Sequence, residues 1–369
     1  MQATESHYFD NARRTGPLRS ILGFWSRQAS RRLAMGAVLA LGLGLGQQAV
    51  AQDAVSVGIT NVATDVAFFL AERNGYFAEE NIAVTFTPFA SAATMIAPLG
   101  AGQLDVGSGG IAAGFYNAVG RNIEMKVVAD KGSISDTIEY STLVIRKDLA
   151  DSGRYKSLSD LKGLSIAVAA QGANSESTLN EAAKKGGLVY DDIDIVYLPF
   201  PEMYAALQNG AIDGAITNEP TLSRLLNDGI AVRGSKDVVY PGQQVAMIFY
   251  SEDFSQRRAD VAKRFMRAYV RAARDYNDAL VDGRLGGPEA DDVVAALTEF
   301  TVIKDPAVYR SMTPFVLNPD GKISLDSLEN DLAFYKQRGL VAEDAELTPF
   351  IDMSFAEWAA NELGPYTAK

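Results

Sequence analysis

The chain contains no cysteine, and its single histidine is His7, near the start of 369 residues. Without cysteine there are no disulfide bonds, no thiolate metal ligands and no cysteine nucleophile. Beyond His7 there is no imidazole for a Ser-His-Asp triad or a histidine metal site. Basic residues are in the minority, with 34 Lys and Arg against 46 Asp and Glu and a formal net charge of −12. This acidity argues against partners such as nucleic acid or anionic lipid surfaces.

The first 51 residues differ in composition from the rest of the chain. They carry six arginines against Glu5 and Asp10, then an apolar run over 33–46, then Ala49 and Ala51 in a small-x-small pattern. This is the layout of a secretory signal peptide. We therefore expect residues 1–51 to be a signal peptide cleaved near Ala51, and the remainder to reside in the periplasm. The alternative is an uncleaved membrane anchor, but the apolar run is short and rich in glycine for a bilayer span.

One sequence pattern occurs twice. Residues 95–107 read MIAPLGAGQLDVG and residues 203–215 read MYAALQNGAIDGA, with Met, Ala, Leu, Gly and Asp in the same places. Each copy predicts a helix that ends at a glycine, followed by an Asp and a short buried strand. Two α/β units of one design predict two similar lobes with a ligand cleft between them. We interpret Asp105 and Asp213 as structural residues at the ends of the repeat.

Hydrophobic periodicity predicts alternating strands and helices up to residue 250 and only helices after it. Strands are predicted at 55–60, 82–86, 105–107, 125–129, 141–145, 165–170, 193–198, 215–217 and 245–250, and C-terminal helices at 257–281, 289–298, 325–338 and 355–361. The alternation implies open, mostly parallel sheets with helices on both faces. Pro98 lies inside a helix predicted over 91–102, which it should kink.

This pattern divides the chain into two predicted lobes. Lobe I comprises residues 52–147 and 243–369, and lobe II comprises residues 148–242. We expect the chain to cross between them near 146–157 and 235–245, with the C-terminal helices packing on lobe I.

Several segments resemble a known family. Residues 69–82, FLAERNGYFAEENI, resemble the A-x-x-x-G-Y-F-x-x-x-G-L opening of the NMT1/THI5-like solute-binding proteins, with Asn81 in place of the usual glycine. Residues 99–107, 158–163 and 206–220 are similar to later landmarks of that family, in the same order. The family includes aliphatic sulfonate, taurine and nitrate receptors of ABC importers. The resemblance implies a type II periplasmic binding protein fold, with two α/β lobes, an interlobe ligand cleft that closes like a hinge, and a helical C-terminal region.

In open α/β sheets, ligands bind outside the carboxyl ends of the strands, where helix N-termini offer free N–H groups. We therefore predict the ligand site at the strand-to-helix junctions. The candidates are Thr60, Asn61, Asp65, Ser91, Thr94, Ser108, Gly109 and Lys131 in lobe I, and Gln171, Gly172, Asn174, Ser175, Phe200, Asn218 and Glu219 in lobe II. Lys131 is the only cation among these candidates. It is expected to pair with a ligand anion, or else with Asp130 or Asp136.

These candidates predict a small polar organic ligand that is anionic or zwitterionic, or a neutral heteroaromatic with N–H groups. The predicted function is capture of such a solute for an ABC permease, by a monomeric protein that is not an enzyme and holds no cofactor or metal. One alternative is a THI5-like pyrimidine synthase, whose family resemblance implies pyridoxal phosphate and an active-site histidine, whereas this chain has only His7. Another is a periplasmic sensor that presents the solute to a membrane receptor.

Overall fold

A computed structural model describes residues 51–119 and 125–369. The predicted signal peptide therefore lies outside the described residues except for Ala51. The strands are β1 (Asp53–Ile59), β2 (Ile82–Pro88), β3 (Val106–Gly109), β4 (Met125–Ser133), β5 (Ser141–Arg146), β6 (Ser165–Val168), β7 (Asp194–Tyr197), β8 (Gly214–Asn218), β9 (Ala231–Arg233), β10 (Gln244–Ser251), β11 (Leu280–Val281) and β12 (Arg284–Leu285).

The strands form two large sheets with the same internal plan. Sheet I has the order β2-β1-β3-β10-β4, and sheet II has the order β7-β6-β8-β5-β9. In each sheet the first three strands are parallel, and the fourth runs antiparallel to both of its neighbours. The fourth strand, β10 or β5, is the one that follows a crossing from the other sheet. The remaining strands, β11 and β12, form a separate two-stranded ribbon.

The first crossing lies earlier in the chain than predicted. β4 ends at Ser133 in sheet I, and β5 begins at Ser141 in sheet II. The chain therefore crosses over residues 134–140 and not near 146–157, so β5 does not belong to lobe I as the range 52–147 requires. Periodicity locates a strand, but its sheet depends on pairing with distant strands, which a local pattern does not carry. The second crossing runs over residues 234–243.

Helices flank both sheets. They are α1 (Val66–Arg73), α2 (Tyr76–Glu79), α3 (Ile96–Gly100), α4 (Ala113–Val119), α5 (Lys147–Asp151), α6 (Asn174–Lys185), α7 (Phe200–Gln208), α8 (Thr221–Asn227), α9 (Glu252–Arg257), α10 (Ala259–Asp278), α11 (Ala290–Phe300), α12 (Pro306–Ser311), α13 (Leu325–Gln337) and α14 (Ser354–Leu363). In the part of the chain covered by the structure, no helix combines the length and apolar character needed to cross a membrane.

Helices that follow β10 pack against sheet I. α10 packs against α1 and α14, and α14 also contacts β4. Phe68 of α1 lies 5.1 Å from the ring of Tyr269 and 6.0 Å from the ring of Phe265, both on α10. These helices therefore pack on the first sheet, as the sequence predicts for the C-terminal region.

α13 is the exception, because it contacts elements of both sheets. It packs against α4 and α6, and Tyr116 on α4 donates a 3.1 Å hydrogen bond to the carbonyl of Leu328. On the other side, the ring of Phe334 lies 5.2 Å from that of Tyr190. The C-terminal helices were predicted to pack on lobe I, and α13 packs against an element of lobe II as well.

The segment around Pro98 is also different from the prediction. Instead of one kinked helix over 91–102, a 3₁₀ helix over Ala92–Met95 leads into the short helix α3. Pro98 therefore falls in the first turn of α3, where a backbone N–H has no partner within the helix. No hydrogen bond is lost, so the proline is tolerated.

Candidate ligand-binding site

Each sheet is braced by the same contact at the end opposite the predicted site. Asp105 Oδ2 accepts hydrogen bonds from Ser56 N at 2.8 Å and Ser56 Oγ at 3.1 Å. Asp213 Oδ2 accepts from Ser165 N and Ser165 Oγ, both at 3.1 Å. Each aspartate directly precedes the third parallel strand and bonds a serine of the neighbouring parallel strand, Ser56 of β1 or Ser165 of β6. The structural role predicted for the two repeated aspartates is confirmed.

Three predicted residues of sheet I form one buried cluster behind the loops. Lys131 Nζ lies 2.6 Å from Asp65 Oδ1, and both side chains are completely buried. Ser108 Oγ lies 3.3 Å from the same Asp65 oxygen and donates to the carbonyl of Gly58 at 2.9 Å. Thr64 Oγ1 lies 3.3 Å from Lys131 Nζ. The carboxylate and the ammonium group therefore neutralise each other inside sheet I.

Lys131 thus pairs with neither of the carboxylates expected from the sequence. Asp130 precedes it on β4, and neighbouring side chains of a strand point to opposite faces. Asp130 instead accepts from Gly132 N at 2.8 Å, Asn318 N at 2.7 Å and Gln244 Nε2 at 2.6 Å. Burial raises the pKa of Asp130 to about 6, although these hydrogen bonds act in the other direction.

The loops after β1, β2 and β3 meet at Gly109, which has a φ of +142°. A Cβ atom at Gly109 would lie 2.9 Å from the Cβ of Ala92 and 3.4 Å from Cγ2 of Thr60. Only glycine allows this close approach. Ser91 and Thr94 flank Ala92 and are exposed, and Ser91 makes no side-chain capping bond to the 3₁₀ helix that it precedes. Its hydroxyl is therefore available to a ligand.

Asn61 directly follows Thr60 and has a positive φ of 58°. Its Oδ1 atom is buried and has no hydrogen-bond donor among the described residues. Leaving a buried acceptor unpaired costs about 1–3 kcal/mol. This acceptor is therefore an incomplete polar contact in the β1 loop, and a ligand N–H or O–H group would complete it.

The loop after β6 reaches sheet I. Ala113 N donates a 2.9 Å hydrogen bond to the carbonyl of Gly172, and Asn174 Nδ2 donates to the carbonyl of Val245 at 3.2 Å. We call residues 110–113 and 171–174 the seam, because they bring the loops of the two sheets into contact. Asn174, predicted as a ligand residue, already uses its amide to hold the seam, whereas the Gln171 side chain is exposed.

The other predicted residues of sheet II have mainly structural contacts. Ser175 Oγ is buried and accepts from Ala169 N at 3.0 Å. Phe200 is half-buried and packs against the apolar core of sheet II, so it is held by that core. Asn218 is half-buried at the end of β8.

Glu219, the last candidate, is only 3% exposed. Its carboxylate accepts from Ser223 Oγ at 2.8 Å, Ser223 N at 3.1 Å and Thr313 N at 3.0 Å. The bond to Thr313 ties the end of β8 to the segment before α13. The sequence identified Glu219 but not Thr313, since their contact joins distant parts of the chain.

Glu176 was missed by the sequence analysis. It is 2% exposed and accepts a hydrogen bond from Gly172 N. It also accepts from the hydroxyls of Tyr190 and Tyr197, each at 2.9 Å. Its position in the first turn of a predicted helix could have identified it, because acidic residues there commonly accept hydrogen bonds from the loop before the helix. Glu176 fixes the Gly172 loop of the seam.

The described residues contain no group of three or more His, Asp or Glu side chains that could hold a metal ion. Of the predicted polar residues, Ser91 and Gln171 have exposed side chains, and the buried Oδ1 of Asn61 has no donor among the described residues. Beside them, a narrow apolar cavity lies between Ala92 and Gly110 and is also lined by Phe115. This arrangement can bind a small molecule by hydrogen bonds, with apolar contacts at one side.

Two five-stranded α/β sheets, joined by two crossings and touching through their strand-to-helix loops, define a type II periplasmic binding protein fold. The chain belongs to the NMT1-like family, which matches residues 48–280. It is 26% identical to the taurine-binding periplasmic protein of Escherichia coli over 226 residues, which is 61% of this chain and 67% of that protein.

The solved structures agree on the fold. The periplasmic aliphatic sulphonate binding protein SsuA from Escherichia coli has a TM-score of 0.64 at 18% identity, over 81% of this chain and 92% of SsuA. The desulfurization enzyme DSZB has a TM-score of 0.55 at 14% identity, over 85% of this chain and all of DSZB. Because binding proteins and an enzyme share this architecture, the fold alone does not define the activity.

Proposed function

We propose that this chain is the solute-binding component of an ABC importer and that it binds a small polar organic solute at the seam. The observation that carries the proposal is the meeting of loops from both sheets. The Ala113–Gly172 hydrogen bond joins them, and Asn61 Oδ1 is left without a donor nearby in sheet I. Ligands of such folds bind at the carboxyl ends of the strands, where these loops lie.

The relatives support this proposal. One is named a taurine-binding periplasmic protein, and a structural neighbour is named an aliphatic sulphonate binding protein. By analogy, the chain would act in the periplasm after loss of residues 1–51, as a monomer that delivers its solute to a permease in the inner membrane. The alternative role is a sensor that presents the same solute to a membrane receptor. Genes for a permease and an ATPase beside the gene for this chain would favour the importer over the sensor.

We assign the direct contacts to the predicted residues whose polar groups are available. These are Thr60, Asn61, Ser91, Gln171 and Asn218, whereas the Thr94 hydroxyl already donates to the Ser91 carbonyl at 2.7 Å. Five of the other predicted residues are buried and hold the loops in place without touching the solute: Asp65, Ser108, Lys131, Ser175 and Glu219. Gly109 and Gly172 allow the loops to approach one another closely. Asn174 and Phe200 fix the loops of sheet II.

An enzymatic role is the second candidate, since DSZB shares the fold. It is disfavoured here because His7 is the only histidine of the chain, so the active-site histidine of a THI5-like synthase has no counterpart after residue 7. A synthase of that kind would show the visible absorbance of a pyridoxal phosphate Schiff base. We expect the purified protein to show none.

A thermal-shift screen of the purified protein tests the binding role. The panel holds alkyl sulfonates, taurine, nitrate, hydroxymethylpyrimidine, aromatic carboxylates and amino acids. A solute present at a hundredfold its Kd stabilises the protein by about 2.7 kcal/mol, which raises Tm by a few degrees in a protein of this size. A shift confined to one chemical class supports the proposal, and a flat response across all classes contradicts it.

A further inference from the structure

We propose that α13 clamps together the two helices that begin at the seam, and that Asp331 is the latch on the sheet II side of this clamp. Protonation of Asp331 keeps the two sheets together, and its ionisation lets them separate. The inference goes beyond the proposed function, because the clamp is a property of the chain without solute.

The two helices that begin at the seam are α4 and α6. Ala113, the first residue of α4, donates to the carbonyl of Gly172, and α6 begins at Asn174. Both helices pack against α13. A movement of either helix relative to α13 would therefore displace the loops of the seam.

Neutral groups join α13 to sheet I. Tyr116 of α4 donates to the carbonyl of Leu328 at 3.1 Å. At the start of α13, Gln244 N of β10 donates to Ser327 Oγ at 2.9 Å, and Gln244 Oε1 accepts from Ser324 N at 2.8 Å. None of these groups is charged, so this side of the clamp does not respond to pH near neutrality.

The sheet II side of the clamp depends on one carboxyl group. Asp331 Oδ1 accepts from the hydroxyl of Ser177 on α6 and, at 2.9 Å, from that of Tyr240 in the second crossing. The Asp331 residue is only 1% exposed. Within residues 51–119 and 125–369, no lysine or arginine forms a salt bridge with it. Its ionised form is therefore a buried charge between α13, α6 and the crossing.

The groups around Asp331 do not compensate this charge. They are Glu176, Glu181 and Lys184 of α6, Tyr116 of α4, Tyr240 of the second crossing and Tyr335 of α13. Glu181 and Lys184 form a salt bridge with each other at 2.7 Å, and Glu176 adds no positive charge. Burial raises the pKa of all three tyrosine hydroxyls, so these stay neutral.

The latch therefore responds to pH in one direction. Burial raises the pKa of Asp331 to about 7, although the bonds from Ser177 and Tyr240 act in the other direction. If sheet II moved away from α13, water would reach the carboxyl group and its pKa would return towards its ordinary value. Between about pH 4 and 7 the clamped form holds a proton that the separated form has released, so it loses stability as the pH rises. Above this range both forms are ionised, and the balance levels off.

Two further features favour a clamp that opens. Asn180 Nδ2 on α6 and the Tyr335 hydroxyl on α13 are buried and have no hydrogen-bond partner among the described residues. Such groups weaken the packed form relative to one in which water reaches them. The sheets are also joined by two crossings, a connection that permits hinge movement.

The clamp has a consequence for binding if the proposed function holds. A solute held between the sheets binds the clamped form, so its apparent affinity falls with the fraction of separated molecules. Its Kd is therefore expected to increase from acidic to neutral pH.

Spin labels on the two sheets test the clamp without any solute. The chain has no cysteine, so labels attach only at Gln103→Cys beside sheet I and Gln208→Cys on α7, both at exposed positions. Pulsed electron paramagnetic resonance of the full-length chain measures the distance between them. We expect one distance at about pH 5.5 and a second population at about pH 8, with the ratio of separated to clamped molecules rising about tenfold per pH unit below pH 7.

Variants of the labelled chain separate titration of the latch from other causes. Asp331→Asn keeps the shape of the side chain but cannot ionise, so the acidic distance should persist at both pH values. Ser177→Ala removes the bond between α6 and Asp331 and should enlarge the separated population at about pH 8. Glu329→Gln is the matched control, because it removes an exposed carboxyl group from α13, and it should behave as the labelled chain without it does.

Two results overturn the inference. One is the same distance distribution at both pH values in the chain that retains Asp331, and the other is an unchanged pH response in Asp331→Asn. If the distance responds as expected but the thermal-shift screen is flat, the clamp stands and the solute-binding role fails. If the screen identifies a solute but the distance does not respond, the solute-binding role stands and the clamp fails.

Discussion

The two sheets share a frame but anchor their ligand loops by different chemistry. Both have the same strand order and directions, and both fix the third parallel strand through an Asp–Ser contact. Behind the loop of sheet I, however, Asp65 pairs with Lys131. Behind the loop of sheet II, Glu176 is held by neutral donors. The two sheets therefore share the contacts that hold their strands together, whereas the residues at the carboxyl ends of their strands differ.

This difference has a functional meaning, because loops on a rigid frame are where binding specificity resides. An ion pair fixes the loop of sheet I, whereas hydrogen bonds from an amide and two hydroxyls fix the loop of sheet II.

The largest effect is expected from breaking the charge pair of sheet I. Lys131→Met leaves Asp65 as a buried carboxylate without its cation, which should lower the free energy of unfolding by about 3–5 kcal/mol. Urea denaturation measures the loss. The double variant Asp65→Asn with Lys131→Met should recover much of it, and a single-variant loss below about 1 kcal/mol would contradict the importance of the pair.

The pH dependence of stability tests the buried carboxylates that have no cation. Burial raises the pKa of Asp331 to about 7 and that of Asp130 to about 6. Between pH 4 and 7 the native protein therefore holds protons that the unfolded chain has released, so the free energy of unfolding falls as the pH rises.

Asp331→Asn should make that dependence shallower by removing one titrating group. Denaturation midpoints at about pH 4.5 and 7.5 measure it, with the exposed Asp136→Asn as control. If the free energy of unfolding of Asp331→Asn changed with pH as steeply as that of the wild-type protein, Asp331 would not titrate in this range.

The repeated Asp–Ser contacts allow a direct comparison of the two sheets. Removing either carboxylate by Asp105→Ala or Asp213→Ala should cost about 1–3 kcal/mol, because the serine donors lose their acceptor. Asp105 also lies 3.0 Å from Arg258, whereas Asp213 lies 3.8 Å from Arg146. We therefore expect the larger loss for Asp105→Ala in chemical denaturation. The reverse order would mean that the arginines contribute little.

The smallest effect concerns the tyrosines of sheet II. Tyr197 is 48% exposed and Tyr190 is 5% exposed, and both donate to Glu176. Tyr197→Phe should lower the free energy of unfolding by about 0.5–1.5 kcal/mol, the usual net value of one hydrogen bond. Tyr190→Phe should lower it by more, because the Tyr190 hydroxyl is buried away from water. Equal losses in thermal denaturation would show that burial does not matter here.

Local patterns in the sequence were enough to predict most of the alternating elements, the repeat and the structural role of Asp105 and Asp213, but not β9, and the prediction of only helices after residue 250 was wrong for β11 and β12. These features follow from periodicity and spacing, which are local. The first crossing was placed too late, because assigning β5 to sheet II requires knowledge of its pairing with β8 and β9. α13 was assigned to one lobe for the same reason, since its contacts with α4 and α6 join distant segments.

For the candidate site, the sequence indicated which loops come together but not their side-chain contacts. The strand-to-helix junctions do meet, but the partner of Lys131 is Asp65 and not Asp130 or Asp136. Charge pairing in the interior depends on which side chains share a face, and a sequence does not show this. Glu176 was overlooked because its role depends on Tyr190 and Tyr197, which follow it by more than ten positions.

The central claim is that a small solute binds between the sheets, and one titration tests it most directly. The solute with the largest thermal shift is titrated by calorimetry into the wild-type protein, Asn61→Ala in the β1 loop of sheet I and Gln171→Ala in the β6 loop of sheet II. Lys304→Ala, whose residue lies in neither sheet, is the matched control. We expect each of the two loop variants to bind the solute about tenfold more weakly, the loss of roughly one hydrogen bond, and the control to bind it with unchanged affinity. Wild-type affinity in both loop variants would contradict the claim.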